Sequence, residues 1–156
     1  MELLPAILVA GVGIAPQKIQ SEDKRQQIQD AIRAMKRALQ TKRHEPNAMY
    51  RKEIGKIGFY YGAHNPATKT RKRSGHGLAH VVGSAKEDYG TYEGSPAPEE
   101  VLSIIPEVIL DGEISRSRHH RIQIKHKRHL VILNEAGKRK DAPHWLFHAY
   151  RLYPKK

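Results

Sequence analysis

The sequence contains no cysteine among its 156 residues. This absence excludes a disulfide framework and any metal site built on thiolates. It also removes the usual sign of an oxidising compartment, so the composition is compatible with either compartment. A chain of this length fits one domain, and it can bury about two-thirds of its unfolded surface without covalent cross-links.

The sequence also lacks a hydrophobic run long enough to span a bilayer. Its most apolar stretch, residues 3–15, is shorter than the ~20 residues that a membrane-spanning helix requires. No basic residue precedes this stretch, which argues against a signal peptide. We interpret residues 1–20 as an apolar arm or as the remnant of an upstream region. We predict a single domain over residues 21–156 and no stable membrane insertion.

Acidic residues are scarce relative to basic ones, and the formal net charge is +12. Residues 41–75 contain 9 basic and 2 acidic side chains, and residues 113–156 contain 12 and 3. Residues 76–112, between these blocks, contain 1 basic and 7 acidic side chains. A surface that only needs solubility would mix the signs, so this pattern favours a basic face that binds nucleic acid. A solvated charge run with a basic tail is the alternative interpretation.

Hydrophobic periodicity predicts both helices and a sheet, and we expect the first helix to cover one face of that sheet. Apolar residues spaced by three and four predict amphipathic helices over residues 22–40 and 98–110. Residues 54–61 are a candidate strand, and residues 121–153 are predicted to form three strands joined by tight turns. The remaining predictions are a polar loop over residues 41–53, a basic loop over residues 62–75 and a short strand over residues 112–116.

Alternation along the predicted strands divides the sheet into two faces. Ile122 alternates with basic side chains, so one face is apolar and the other is basic. In the final strand, Trp145 and Phe147 are predicted to face the core. His148 and Tyr150 then point together to the opposite face.

Ten histidines are present, and they are the main candidates for chemistry. No helical His-Glu-x-x-His motif or matching carboxylate pattern accompanies them, so we predict no metal and no other cofactor. RNA can be cleaved without a metal because its own 2′-hydroxyl is the nucleophile. The protein then supplies a base, an acid and cations for the transition state. Histidine suits both proton roles because its unperturbed pKa is near 6.5, and His76, His80 and His148 are the candidates.

The order of five segments resembles the phage-associated and polymorphic-toxin nucleases of the barnase–EndoU–colicin E5/D–RelE superfamily. The segments are GHGLAHVV (75–82), GEISR (112–116), RIQI (121–124), HLVIL (129–133) and WLFHAY (145–150). In that superfamily a Gly-x-Gly-Leu-x-His-hydrophobic segment lies on a helix, and a late strand carries Trp-aliphatic-aliphatic-Thr-Ala-Tyr. The resemblance covers residues 54–153. It implies an α+β fold, in which N-terminal helices pack on a small antiparallel sheet of about four strands. It also implies a metal-independent ribonuclease site on the exposed face of that sheet.

The resemblance also assigns positions in this chain. The motif histidine is His80, and the basic residue that enters the sheet is Arg116. The position of the late-strand threonine is occupied by His148, which is a departure from the pattern. This histidine is either an additional general acid or base, or a sign that the site is altered.

We therefore predict a toxin-type endoribonuclease that cleaves RNA to a 2′,3′-cyclic phosphate. The predicted catalytic residues are His80, His148, Arg116 and Lys125, with the order of acid and base left open. The predicted substrate-binding residues are Lys127, Arg121, Tyr150, His76, Arg71 and Arg73.

The resemblance further implies an acidic immunity or antitoxin partner and action in the cytoplasm of a target cell. It also implies delivery as the C-terminal part of a larger secreted or phage-encoded protein. Two alternatives stay open. One is a non-catalytic, phage-associated nucleic-acid-binding domain, and the other is a membrane-active fragment led by residues 3–15.

Overall fold

The computed structural model describes residues 16–135 and 142–151, with side chains from residue 22 onward. Most of the predicted arm, the predicted turn after Glu135 and residues 152–153 of the last predicted strand lie outside the described residues. The helices are α1 (Pro16–Thr41), α2 (Gly77–Asp88) and α3 (Pro98–Asp111). The strands are β1 (Glu45–Arg51), β2 (Gly55–Phe59), β3 (Ala63–Asn65), β4 (Ser74–His76), β5 (Glu113–Arg116), β6 (Arg121–His126), β7 (His129–Asn134) and β8 (His144–Arg151).

The α+β class is confirmed, but the predicted sheet of about four antiparallel strands is wrong in its detail. Within the described residues, six strands form one sheet in the order β1-β2-β8-β7-β6-β5. Strands β2 and β8 run parallel, while the other neighbouring pairs are antiparallel. A parallel pair needs a long crossover connection, and here that connection contains both α2 and α3. Local periodicity does not report such a long-range pairing.

Strand β1 replaces the polar loop predicted over residues 41–53. Pro46 argued against a strand because proline cannot donate to a ladder. The strand lies at the edge of the sheet, and its register to β2 shifts between Glu45 and Met49. An edge position with such an irregularity tolerates proline, which explains why the local signal was misleading.

The core lies between one face of the sheet and helices α1 and α3. In α1 the predicted stripe is present, with Met35 wholly buried and Ile32 packed beside it. Helix α3 begins with Pro98 at its first turn, and Glu99 there complements the helix dipole. The sheet contributes alternate residues of its central strands to this core: Ile122, Ile124, Val131, Leu133 and Leu146.

The prediction that Trp145 and Phe147 face the core is wrong. Leu146 is the buried residue of β8, at 1% exposure, whereas Trp145 and Phe147 are only half-buried. The register from β7 to β8 skips Phe147, so a bulge interrupts the alternation. Trp145 and His148 therefore lie on the same face of the sheet, opposite Leu146. We call this the outer face.

A two-stranded sheet of β3 and β4 occupies part of the segment that was predicted to be a loop. It packs with α2, which in turn lies beside β8. This arrangement brings the His80 helix to the strand that carries His148. Among the described residues, no helix is both long and apolar enough to cross a membrane.

Candidate active site

The start of α2 is held against the end of β2 by two backbone hydrogen bonds. The Leu78 amide donates to the Tyr60 carbonyl at 2.9 Å, and the Ala79 amide donates to the Tyr61 carbonyl at 2.8 Å. Gly77 has φ 77°, and a Cβ there would lie 2.6 Å from the Tyr60 oxygen. The second glycine of the motif is therefore required for this close approach. It fixes the first turn of the helix and thereby the position of His80.

His80 is buried, at 7% exposure, and it begins a chain of three polar side chains. Its Nδ1 lies 2.9 Å from Nδ1 of His64, on β3. His64 Nε2 lies 2.6 Å from a carboxylate oxygen of Glu87, near the end of α2. The other Glu87 oxygen accepts a hydrogen bond from the Ala67 amide at 3.1 Å. We call His80, His64 and Glu87 the relay.

Glu87 determines the direction of the hydrogen bonds in the relay. The Ala67 and His64 hydrogen bonds hold the pKa of Glu87 below its ordinary value, so it is an ionised acceptor. His64 Nε2 then donates to Glu87, and a neutral His64 accepts at Nδ1 from Nδ1–H of His80. This leaves Nε2 of His80 as the nitrogen that exchanges a proton outside the relay.

Gly83 makes room for the relay in the middle of α2. A Cβ at this position would overlap the His64 ring and would lie 2.7 Å from its Nε2. The imidazole therefore packs directly on the helix backbone. A helix-interior glycine is unfavourable by itself, and this contact is the physical reason for one at this position.

His148 lies beside His80 on the outer face. Their ring centroids are 4.7 Å apart, and the ring centroid of Tyr150 lies 4.9 Å from that of His148. The predicted common direction of His148 and Tyr150 is thus confirmed. Nδ1 of His148 is buried and has no hydrogen-bond partner among the described residues.

The two adjacent imidazoles have different affinities for a proton. Burial, followed by the nearby His80 and Arg73, lowers the pKa of His148 to about 4. Burial and then His64 and Arg73 also lower the pKa of His80, but Glu87 opposes this change. A single proton shared by the pair therefore favours His80, whose relay ends in a carboxylate.

The charge of Arg73, a predicted substrate-binding residue, acts on both histidines of this pair. Its guanidinium donates to both carboxylate oxygens of Asp88, at 2.7 and 2.9 Å. It also lines a cavity together with His148. Its charge contributes to lowering the pKa of both His80 and His148.

A row of planar side chains extends from the pair across the outer face. His76 stacks on Tyr60 at 5.2 Å and on Phe147 at 6.2 Å between ring centroids. Tyr60 also stacks on His44 at 4.1 Å, and the Arg121 guanidinium lies 4.2 Å above the Phe147 ring. We call these five residues the stacked row. Half-exposed aromatic and guanidinium planes beside a basic surface suit single-stranded nucleic acid.

The structure does not bring the remaining predicted residues to His80. Arg116 is paired with Ile122 across strands, so it shares the core-side face, and it forms an ion pair with Glu135. Lys125 is on the outer face. It is paired with Leu130 of β7, which is paired in turn with Tyr150 of β8, so Lys125 and Tyr150 are two strand spacings apart, or about 10 Å. Lys127 lies in the turn after β6, with Nζ 3.9 Å from Glu107.

The predicted binding residue Arg71 is exposed in the connection between β3 and β4. Several residues of the site were not predicted from the sequence, because the contacts that identify them are long-range. His64 and Glu87 are 23 positions apart, and His44 meets Tyr60 from the loop before β1. The abundance of histidine was the only available signal for His64 and His44.

A separate group of possible metal ligands lies away from the pair. Ligand atoms of Glu107, Asp111 and His126 lie within 4.8 Å of one another. Lysines already contact two of these carboxylates, since Lys24 pairs with Asp111 and Lys127 with Glu107. The expectation of no metal stays a prediction.

Residues 48–155 match a family model described as phage-Barnase-EndoU-ColicinE5/D-RelE like nuclease1. The chain belongs to this nuclease family. The match begins in β1 and includes every other strand, α2 and α3, while α1 lies before it. It confirms the resemblance seen in the sequence and supports nuclease activity in general. Comparisons with curated proteins and with solved structures gave no match.

Proposed function

We propose that the chain is a metal-independent endoribonuclease that cleaves RNA through its 2′-hydroxyl. The observation that carries this proposal is the 4.7 Å separation of the His80 and His148 rings at the end of the relay. Two imidazoles at this distance can serve the same phosphorus, one by removing the proton of the attacking 2′-hydroxyl and the other by protonating the departing 5′-oxygen. Their proton affinities differ, which is the requirement for one base and one acid.

His148 is the general base and His80 is the general acid. The pKa of His148, about 4, keeps this ring neutral at the pH where RNA is bound. Because Nδ1 of His148 is buried, Nε2 removes the proton of the 2′-hydroxyl. The 2′-oxygen then forms a bond to phosphorus as the bond from phosphorus to the 5′-oxygen breaks. His80 donates its Nε2 proton to the departing 5′-oxygen, which leaves a 2′,3′-cyclic phosphate and a 5′-hydroxyl.

The relay supports the acid role of His80. When His80 carries two protons, Nδ1–H donates to His64, and His64 Nε2–H donates to ionised Glu87. Every hydrogen bond of the relay is then satisfied, and the positive charge has a carboxylate counterion. Arg73 and Arg121 are the cations placed to balance the charge that develops on the phosphate oxygens.

The proposed partner, besides RNA, is an acidic immunity protein. The blocks at residues 41–75 and 113–156 carry the excess of positive charge, and Arg121 and Lys125 of the second block lie on the outer face. An acidic inhibitor would associate rapidly with such a surface. A toxin of this kind would act in the cytoplasm of a target cell after delivery by a larger secreted or phage-encoded protein.

The test is incubation of the pure protein with RNA in EDTA, beside DNA of the same sequence. Cleavage of RNA alone is expected, and the double variant His80→Ala with His148→Ala should lose it. His119→Ala is the matched control, because His119 is exposed in the turn between β5 and β6. Salt-dependent binding of RNA and DNA alike without cleavage would instead identify a non-catalytic nucleic-acid-binding domain.

A further inference from the structure

A cavity of about 230 Å³ is lined by His148 and by none of the five residues of the stacked row. It is enclosed by α2, α3 and the ends of β7 and β8. Its walls are largely apolar, with Val81, Ile105 and Leu130 among them. At ~30 Å³ for each water in the liquid, the space corresponds to roughly seven waters. It is large enough for one planar ring system and too small for a run of nucleotides.

Two buried polar atoms in the walls of this cavity have no partner. Among the described residues, Ser84 Oγ and His148 Nδ1 are the buried side-chain atoms without a hydrogen bond. Both residues line this one cavity, and Ser84 is only 8% exposed. An unpaired buried polar group costs about 1–3 kcal/mol, so such groups are expected to meet a partner. Two of them in one apolar cavity point to a ligand with polar edges.

The cavity offers mainly hydrogen-bond donors. When Nε2 of His148 acts as the base, Nδ1 carries the hydrogen and donates into the cavity. The Ser84 hydroxyl can donate as well. The carboxylate that lines the cavity, Asp88, is paired through both oxygens with Arg73. A ligand that presents carbonyl oxygens therefore fits better than one that presents amino groups.

We propose that this cavity binds the base of the nucleotide whose 2′-hydroxyl attacks, and that it selects a keto base, uracil or guanine. This inference rests on the proposed ribonuclease function. His148 connects the two sites, because one ring nitrogen meets the 2′-hydroxyl and the other meets the base of that same nucleotide. Adenine has no carbonyl oxygen, and cytosine presents an amino group beside its single carbonyl.

Four DNA oligonucleotides, each with one ribonucleotide at the same position, test the inference directly. Only the nucleotide with the 2′-hydroxyl can be cut, so its base is the single variable. The faster of the uridine and guanosine substrates should be cleaved at least about tenfold faster than both the adenosine and cytidine substrates. Any other order among cleaved substrates overturns the base pocket and leaves the ribonuclease proposal standing. Failure to cleave any of the four, together with intact full-length RNA, overturns both.

The variant Ser84→Ala tests whether the cavity causes the preference. Removing one neutral hydrogen bond should reduce the ratio of keto-base to adenosine cleavage about fivefold. Ser103→Ala is the matched control, because Ser103 is exposed on α3 and its hydroxyl donates to Glu100. An unchanged ratio in Ser84→Ala, or an equal reduction in the control, would contradict the role of the cavity.

A binding measurement separates the pocket from the chemistry. Uridine or guanosine 3′-monophosphate should raise the melting temperature of the wild type more than adenosine 3′-monophosphate does, since a ligand stabilises the state that binds it. This difference should shrink in Ser84→Ala. Equal shifts for all the nucleotides in the wild type would show a phosphate site without base selection, and would overturn the inference.

Discussion

Replacing Glu87 by glutamine removes the charge at the end of the relay with little change of shape. The carboxylate accepts hydrogen bonds from His64 Nε2 at 2.6 Å and from the Ala67 amide at 3.1 Å. A glutamine side chain has one carbonyl oxygen, so it keeps only one of these bonds as an acceptor. The proton on His80 then loses its counterion, while His80 and His148 themselves are untouched.

The magnitude follows from the difference between charged and neutral hydrogen bonds. Hydrogen bonds to charged groups contribute about 1.5–3 kcal/mol and neutral ones about 1 kcal/mol. The Glu87 side chain is 30% exposed. Solvent therefore screens its charge, and the contribution of its hydrogen bonds should lie in the lower part of the range for charged groups. A difference of about 1.4 kcal/mol corresponds to a tenfold decrease in kcat/KM.

The assay is the initial rate of cleavage of a fluorogenic RNA in EDTA, measured as a function of pH. The Glu87 charge raises the pKa of His80, whereas burial and the nearby His64 and Arg73 lower it. Loss of that charge in Glu87→Gln should therefore shift the alkaline limb of kcat/KM to lower pH. Glu100→Gln, at an exposed position on α3, is the control and should match the wild type. An alkaline limb that does not move in Glu87→Gln, whatever the rate, would refute the relay.

Three further predictions concern the site and its support. For the wild type, the plot of kcat/KM against pH should be bell-shaped. Its acid limb should lie near the His148 pKa of about 4, and its alkaline limb should lie below 6.5 because the pKa of His80 is lowered. A kcat/KM that rises through neutral pH would contradict this. Gly83→Ala should lower the melting temperature and the activity, although alanine in a helix interior usually adds about 1 kcal/mol of stability, because the new Cβ overlaps the His64 ring. A more stable and fully active variant would exclude that packing. In urea denaturation, Gly77→Ala should lower the free energy of unfolding more than Gly90→Ala does. Both glycines have positive φ, but of the two only Gly77 has backbone atoms where a Cβ would lie. Equal losses would count against the docking of α2 on β2.

Sequence periodicity located most elements because their patterns are local. The stripe that contains Met35 predicted α1, and the alternation around Ile122 predicted the faces of β6. The family resemblance implied a helix for the GHGLAHVV segment, and α2 begins at its second glycine, Gly77. Pairing between β2 and β8, in contrast, joins residues such as Ile57 and His144 that are far apart in the chain.

The site itself was predicted in part. His80 and His148 were predicted to be the proton carriers, and the structure places their ring centroids 4.7 Å apart. Their roles stay a prediction. The faces of β8 were assigned wrongly only for the residues before His148. A bulge at Phe147 reverses the alternation there, and nothing in the local pattern marks it. The relay could not be predicted, since His64 and Glu87 come together only when β3 packs on α2.

The chemistry at the cut is the most direct test of the proposed mechanism. A synthetic RNA with one cleavage site is incubated with the protein in EDTA, and the new ends are identified by mass spectrometry. The same RNA with a single 2′-deoxy nucleotide on the 5′ side of the cut is the second substrate. The histidine pair predicts a 2′,3′-cyclic phosphate from the first RNA and no cleavage of the second. A 3′-hydroxyl end, or cleavage of the deoxy substrate at that position, would contradict the mechanism.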